Sequence, residues 1–308
     1  MAKEKKEQKD EGKHIDFRDQ IARNKTKSVF LVIFVFIVLV VIGFVISLAF
    51  PKGDMFIILI FATLISIIYV WITYAMSDKI ALASVGAQEA DKRIHSQLYN
   101  AVENMSIASG TPMPRVYIMP GKQINAFATG KDPQHSVVCV TEGALNKLNK
   151  QELEGVIGHE MGHIANYDIR FVTLVAIMVG AISIFSQLFL RSMFFRSSNN
   201  SDSGRGNIIF LVIALVLAII APIIVKLVQL AISRKREYAA DATSVQFTRY
   251  PPGLIGALKK IKQESDEPMK VPDAVASMFF SDTTKKRLVE LFETHPPIEK
   301  RIKVLEAM

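Results

Sequence analysis

Four long apolar stretches without a charged residue dominate the hydrophobic pattern of the chain. They cover Val29–Phe50, Met55–Met76, Phe171–Leu190 and Ile208–Val225. Each is about 18–22 residues long, and roughly 20 residues are needed to cross the hydrocarbon core of a bilayer as a helix. The pattern therefore predicts four transmembrane helices in two hairpins. For the second pair, a buried or partly inserted helical hairpin is the alternative.

A polar segment follows each hairpin, and the first of them, residues 77–170, predicts both helices and strands. Apolar residues recur at helical spacing over Ala87–Ala108, which predicts an amphipathic helix. Short apolar runs separated by Pro-Gly and Gly-Lys-Asp-Pro turns then predict three strands. These strands are Val116–Met119, Ile124–Thr129 and Val137–Val140.

Further helices are predicted on either side of the second hairpin. Asn149 and Glu152 have the spacing of a capping box, so a helix begins there and leads towards the third apolar stretch. In the second polar segment, residues 233–308, helical patterns cover Arg236–Phe247, Gly253–Ile261 and the residues after Pro297.

Composition and charge agree with a membrane protein and exclude two other classes. Half of the 308 residues are hydrophobic and 21% are charged, which is too apolar for a disordered chain. A single cysteine, Cys139, excludes a disulfide-stapled secreted domain. The net charge is +8, and the tail before Ser28 mixes many Lys and Arg residues with acidic ones. Because apolar sequence follows this tail at once, we interpret it as a cytoplasmic flank and predict no nucleic-acid partner.

Residues 159–163, with the sequence His-Glu-Met-Gly-His, form an HExxH motif. On a helix, positions i and i+4 share one face, so His159 and His163 can reach a single metal ion. Two imidazoles and a carboxylate with one open position suit zinc. The metal acidifies a water and polarises the scissile carbonyl, while Glu160 takes the proton as general base. The alternative is a surface helix with two histidines, but small and apolar neighbours favour a tightly packed helix.

A third ligand is needed, and Glu237 is the outstanding candidate. Glu237 and Asp241 are four residues apart, so they share one face of a helix. Glu237 can bind the metal while Asp241 accepts a hydrogen bond from a ligand imidazole and fixes its tautomer. The alternative is an ordinary helical carboxylate pair, in which case His295 is the next candidate ligand.

The order of these motifs resembles that of the HtpX-type membrane zinc metalloproteases, which are kin to the CAAX prenyl proteases. The HExxH motif lies at the mouth of the third span, and Glu237–Asp241 follows the fourth. Asn125–Gly130 and Thr294–Pro297 also match the family pattern. The resemblance covers nearly the whole chain except the tail before Ser28, which is longer than the family pattern suggests.

The resemblance implies one zinc ion per chain with Glu160 as the general base. The implied zinc ligands are His159, His163 and Glu237. It further implies that Asn125–Thr129 is an edge strand that pairs with an extended peptide. An exposed strand edge binds main chain irrespective of sequence, so broad specificity follows.

Two further residues are candidates for contact with the substrate. Asn125 belongs to the implied edge strand, although a turn residue entering a strand is the alternative. His295 could donate a hydrogen bond to the oxyanion formed at the scissile carbonyl. Its alternative is a simple flank of the helix that begins at Pro296.

The predicted fold is an α+β integral membrane protein with a mainly helical, zincin-like catalytic domain that contains a small β-sheet. The metal ligands lie on both sides of the second hairpin, so the two polar segments meet on one side of the membrane. Lys and Arg near the span ends predict that this side is the cytoplasm. The chain thus divides into a cytoplasmic tail, a transmembrane hairpin, a half-domain with HExxH, a second hairpin and a second half-domain: 1–27, 28–76, 77–170, 171–232 and 233–308.

The predicted function is a zinc-dependent endopeptidase of the inner cell membrane that cleaves misfolded or damaged membrane proteins. Its partners would be polypeptide substrates and the lipid bilayer, and no feature indicates an oligomeric state. A narrow-specificity membrane processing protease is one alternative. A non-enzymatic membrane scaffold or transporter is another, although the spans lack the ionisable residues that are typical of transporters.

Overall fold

The computed structural model describes residues 17–47, 52–176, 234–264, 269, 271–281 and 296–308. Four strands carry labels, namely β1 Gln88–Glu89, β2 Arg115–Met119, β3 Ala126–Gly130 and β4 Ser136–Thr141. The helices of the first part are α1 Phe17–Ser47, α2 Lys52–Ala75, α3 Ser77–Ser84, α4 Ser96–Ser109, α5 Glu142–Lys147 and α6 Lys150–Ala165. Residues 168–176 are also helical. The later helices are α7 Arg234–Thr248, α8 Pro251–Glu264, α9 Asp273–Ala276 and α10 Ile298–Glu306.

The strands form one mixed sheet in the order β1-β2-β4-β3. Strand β2 runs parallel to β4, and β3 runs antiparallel to β4. The prediction of a mainly helical fold with a small sheet is therefore confirmed. β3 and β4 are buried along their whole length, because helices and the adjoining loops cover the sheet. This burial explains why both strands have apolar or small residues at nearly every position.

The helix predicted from Ala87 begins later than its apolar spacing suggested. Gln88 and Glu89 instead form β1, which pairs with Tyr117 and Ile118 of β2. Asp91 then accepts hydrogen bonds from backbone N–H groups of the following turn, and α4 begins only at Ser96. Local periodicity missed this strand because two residues form it and its partner lies about thirty residues away.

Helix α1 is the one described helix that is long and apolar enough by itself to cross a membrane, over Asn24–Val41. A second candidate is the pair Leu59–Ala75 and Ser77–Ser84, which bends by 72° at its break. Only residues 171–176 of the predicted third span are described, and the rest of that span and the predicted fourth span lie outside the described residues. The first hairpin packs through α1 and α2, and many of its large apolar side chains are exposed. Exposed apolar faces of this kind are expected where lipid is the solvent.

Helix α6 is the centre of the domain, because α4, α7 and α8 all pack against it. Two glycines permit the close approach of α7 and α8. A Cβ at Gly155 would lie 2.6 Å from the backbone nitrogen of Leu254, and one at Gly158 would lie 2.9 Å from Ser244 Oγ. The Ser244 hydroxyl also donates to the Gly155 carbonyl at 2.6 Å. These contacts fix α7 beside the HExxH helix, so the register between the two helices is set by small residues.

Candidate metal centre

The local sequence starts α6 at a defined residue and thereby sets the direction of its side chains. Asn149 accepts a hydrogen bond from the Glu152 backbone, and the Glu152 carboxylate accepts one from the Asn149 backbone at 2.8 Å. This is the predicted capping box, and it satisfies two N–H groups that a helix start leaves without partners. His159 and His163 then lie one turn apart on the same face, and the ring of His159 is fully buried.

The side chains of His159, His163 and Glu237 converge on one point. His159 Nε2 lies 3.2 Å from His163 Nε2, and the Glu237 oxygens lie 3.5 Å and 3.6 Å from those two nitrogens. Tetrahedral ligands bound at about 2.0–2.1 Å are themselves roughly 3.3–3.4 Å apart. The two nitrogens have nearly this spacing, and a different Glu237 oxygen faces each of them, Oε2 at 3.5 Å from His159 Nε2 and Oε1 at 3.6 Å from His163 Nε2. Among the described residues, His159, His163 and Glu237 are the group of His, Cys, Asp or Glu side chains that lie close enough together to hold a metal ion.

Each imidazole is held from its far side by a carboxylate. His159 Nδ1 lies 2.9 Å from Asp241 Oδ1, and His163 Nδ1 lies 3.1 Å from Asp168 Oδ2. A carboxylate at Nδ1 keeps the proton there and leaves Nε2 as the free donor for a metal. The structure thus places Asp241 against the imidazole of His159 and gives Asp168 the same relation to the imidazole of His163. Asp168 was missed by the sequence reasoning, although its position five residues after His163 was a possible signal.

Arg301 of α10 completes the support of His159. Its Nε donates to Asp241 Oδ2 at 2.9 Å and its Nη2 to Asp241 Oδ1 at 2.6 Å. The guanidinium also lies 4.7 Å from the centroid of the Phe280 ring, which makes an edge contact with the His159 ring. Arg301 is 1% exposed, and no pattern around it in the sequence had indicated a role.

The electrostatics of this pocket favour positive charge at its centre. Burial lowers the pKa of His163, but the hydrogen bond to Asp168 and the charges of Glu237, Asp168 and Glu160 raise that pKa to about 9. Burial would raise the pKa of Asp241, yet Arg301 and His159 lower that pKa to about 2. Asp241 is therefore anionic at neutral pH. A pocket with several carboxylates around two imidazoles suits a divalent cation.

Glu160 lies in the same cavity as the three converging side chains. This cavity is lined by His159, Glu160, His163, Glu237, Ala128 of β3 and Phe279. Glu160 is 2% exposed, so this residue is held in a water-poor setting beside the place where a metal would bind. Because Ala128 belongs to the same lining, the edge of the sheet runs past the centre.

The remaining predicted residues have different positions. β3 is at the edge of the sheet, as predicted, but residues 279–281 cover part of that edge. Phe280 N–H donates to the Ala126 carbonyl at 2.8 Å, and the Asn125 side chain exchanges hydrogen bonds with the backbone of Ser281. Asn125 is 2% exposed. His295 lies outside the described residues.

Comparison with known proteins agrees with this geometry. Residues 88–308 match the family described as Peptidase family M48. The chain belongs to this family. The match includes both halves of the converging site, His159 to His163 and Glu237, which the apolar stretches between them separate in sequence.

Curated relatives extend the likeness over almost the whole of this M48 peptidase. The "Protease HtpX homolog" of Caldanaerobacter subterraneus subsp. tengcongensis is 44% identical over 293 residues, which are 93% of this chain and 96% of that protein. The protein of the same name from Thermoanaerobacter pseudethanolicus is 45% identical over 291 residues, again 93% and 96%. Together with the apolar helix α1, these likenesses identify the M48 peptidase as a membrane-bound metalloprotease.

A solved structure is also similar. Ste24p from S. mikatae superposes with a TM-score of 0.43 and 18% identity, over 82% of this chain and 65% of that chain. This overlap is too weak to support a conclusion about fold or activity.

Proposed function

We propose that this M48 peptidase is a zinc endopeptidase of the inner cell membrane, with one zinc per chain held by His159, His163 and Glu237. The observation that supports it is the convergence of two Nε2 atoms and a carboxylate at 3.2–3.6 Å. Two nitrogens and one oxygen donor are a ligand set that zinc prefers, with a fourth position left for water or substrate. When bound, zinc acidifies water and polarises the carbonyl of the peptide bond.

In this proposal Glu160 moves the proton. Its carboxylate accepts a proton from the attacking water and then delivers that proton to the nitrogen of the departing amine. The two neighbouring carboxylates, Asp241 and Asp168, have another task, because both are occupied in holding imidazole Nδ1 atoms. Asn125 and His295 are proposed to contact the substrate or the oxyanion, outside the ligand set.

We further propose the arrangement in the membrane that the apolar pattern predicts. Four transmembrane helices form two hairpins, and the two polar segments face the cytoplasm. The second hairpin is the membrane-embedded connection between these two segments. Support comes from the meeting of His163 and Glu237, which lie on opposite sides of that hairpin in sequence. A short metal–ligand distance demands that the chain between them cross the membrane an even number of times.

The proposed substrates are misfolded or damaged membrane proteins. An edge strand can pair with extended main chain without a demand for particular side chains, and β3 lies at the edge of the sheet beside the centre. Residues 279–281 cover part of this edge, and the substrate is proposed to pair with the part of β3 beyond them. A narrow-specificity processing protease would instead need side-chain pockets that select one sequence. Cleavage of several unrelated unfolded chains would support the broad function, and cleavage confined to one sequence would contradict it.

The decisive experiment compares Glu160→Gln with the wild type, both as full chains in lipid nanodiscs. We expect about one zinc per chain in both proteins and cleavage of an unfolded model substrate by the wild type alone, because Glu160 serves the proton and leaves the ligands intact. Glu154→Gln is the matched control, since Glu154 lies on the same helix and bonds Asn104 far from the centre. Full activity of Glu160→Gln would refute the mechanism, and absence of bound zinc in the wild type would refute the metal assignment.

A further inference from the structure

A buried amide links the first apolar helix to the metal centre. Asn24 lies at the start of the apolar span of α1 and is 3% exposed. Its Nδ2 donates two hydrogen bonds, to the Asn166 carbonyl at 3.0 Å and to Asp168 Oδ1 at 2.7 Å. Both acceptors lie more than 140 residues away in sequence. Asn166 belongs to the turn that follows the HExxH helix, and Asp168 is the first residue of the next helical segment. A buried polar group is costly unless it is paired, and here both amide hydrogens have an acceptor.

The two oxygens of Asp168 have separate partners. Oδ1 accepts from Asn24, with Arg236 Nη1 at 3.7 Å, whereas Oδ2 holds Nδ1 of His163 at 3.1 Å. A carboxylate that pivots about its Cβ–Cγ bond would lose the orientation that the imidazole needs. The hydrogen bond from Asn24 restricts this rotation. Because the amide is neutral, it does so without adding a positive charge that would compete with a cation.

Other contacts keep the beginning of α1 at this turn. Lys25 Nζ lies 4.3 Å from the centroid of the Tyr167 ring, and Tyr167 has a positive φ of 59°. About two turns beyond Asn24, Leu31 is buried against Phe171 and Val175. Helix α1 thus packs against this region over several turns. Asn24 is the residue of α1 that bonds Asp168, the partner of His163.

We propose that Asn24 is a positioning residue of the metal centre, which holds Asp168 in the orientation that fixes the ring of His163. The membrane helix α1 thereby contributes to metal binding although it carries no ligand. This inference rests on the proposed role of His163 as a ligand. Partners of metal-bound histidines typically change metal affinity by about 10–100-fold when they are removed. Asn24 is one hydrogen bond further from the metal than Asp168 is. Its removal should therefore weaken zinc binding less, by roughly threefold to tenfold.

The test measures the zinc dissociation constant of full-length variants in nanodiscs by competition with a chelator. Asn24→Ala removes the donor, and Asn24→Leu removes it while keeping most of the volume. Ser28→Ala is the matched control, because Ser28 is buried on the same helix and donates only to the Asn24 carbonyl among the described contacts. We expect both Asn24 variants to raise the dissociation constant by about threefold to tenfold and the control to leave it unchanged.

A double-mutant cycle separates positioning from a general effect on stability. If Asn24 acts through Asp168, then Asn24→Ala should have almost no further effect on zinc affinity in an Asp168→Ala background. An unchanged dissociation constant in both Asn24 variants would overturn the inference, as would an equal loss in both backgrounds. A wild type that does not bind zinc would instead refute the proposed function. The visible spectrum of bound Co²⁺ gives a second readout, which Asn24→Ala should alter and Ser28→Ala should not.

Discussion

Arg301 and Asp241 form a two-point ion pair inside the protein, with both carboxylate oxygens within 2.9 Å of guanidinium nitrogens. Both side chains are 1% exposed. The fork of the guanidinium matches the carboxylate, and the same carboxylate holds His159. The C-terminal helix α10 therefore acts on the metal centre through one buried pair.

Removal of Arg301 should destabilise the protein more than removal of an exposed charge on the same helix. We expect Arg301→Ala to cost about 3–5 kcal/mol, because it leaves the Asp241 charge buried without its main partner. Thermal unfolding in nanodiscs measures the loss. Lys303→Ala, an exposed change on the same helix, is the control, and similar unfolding temperatures for the two variants would contradict the prediction.

Substitution of Glu237 should weaken zinc binding sharply. Glu237→Ala removes one of three donors, and metal binding is coupled to folding, so residues 77–170 should also become more sensitive to protease. Asp241→Ala should give a milder loss of zinc affinity, because Asp241 holds His159 and is not itself a proposed ligand. It should also lower the unfolding temperature, because Arg301 stays buried without its carboxylate partner. Chelator competition and limited proteolysis measure the two effects. Wild-type zinc affinity in Glu237→Ala would mean that the third ligand lies elsewhere, with His295 the next candidate.

The contact between α6 and α8 should not tolerate a methyl group at Gly155. Its Cβ would lie 2.6 Å from the Leu254 backbone nitrogen and 2.9 Å from Leu254 Cα, so a helix must move. We expect Gly155→Ala to lower stability by about 1–3 kcal/mol, measured as a lower unfolding temperature.

Gly256→Ala provides the comparison for that helix contact. A Cβ at Gly256 would meet the Glu152 side chain, whose nearest atom is Oε1 at 2.9 Å. The Glu152 carboxylate is held by Asn149 and Lys260, but a side chain can shift more easily than the backbone that Gly155 faces, and the change from Gly to Ala in a helix gains up to about 1 kcal/mol. Its effect should therefore be smaller, and an equal loss in both variants would contradict the argument.

The membrane arrangement can be tested with a single introduced thiol. Cys139 is fully buried and burial raises the pKa of its thiol, so it should stay silent towards thiol reagents in the folded protein. Ser201→Cys should then react only with reagent supplied from the non-cytoplasmic side. Labelling only from the cytoplasmic side would refute a second hairpin that spans the membrane, and the wild type is the control for Cys139.

The sequence was informative wherever a local pattern determined the structure. The three predicted strands are present within two residues of their predicted bounds, and the capping box at Asn149 starts α6 as expected. Spacing of four residues also placed His159 with His163, because a helix alone brings such residues together. The strand β1 was missed, since two residues carry no periodicity.

The supporting residues of the metal centre could not be predicted in the same way. Asn24, Asp168 and Arg301 act through contacts that depend on how distant helices pack. Arg301 lies three residues after Ile298 and four before Leu305, on the apolar face of α10, although Arg is almost never fully buried unless it is paired. Its burial becomes intelligible only once Asp241 lies opposite.

The dispersal of the centre along the chain has a consequence for biosynthesis. Its contributors begin with Asn24 and continue through His159 and Glu237 to Arg301. A chain is made from its N-terminus and folds in that order, so the fully supported centre cannot form before Arg301 has left the ribosome. A nascent chain that stops short of α10 would hold His159, His163 and Glu237 but would lack the Arg301 guanidinium that anchors Asp241.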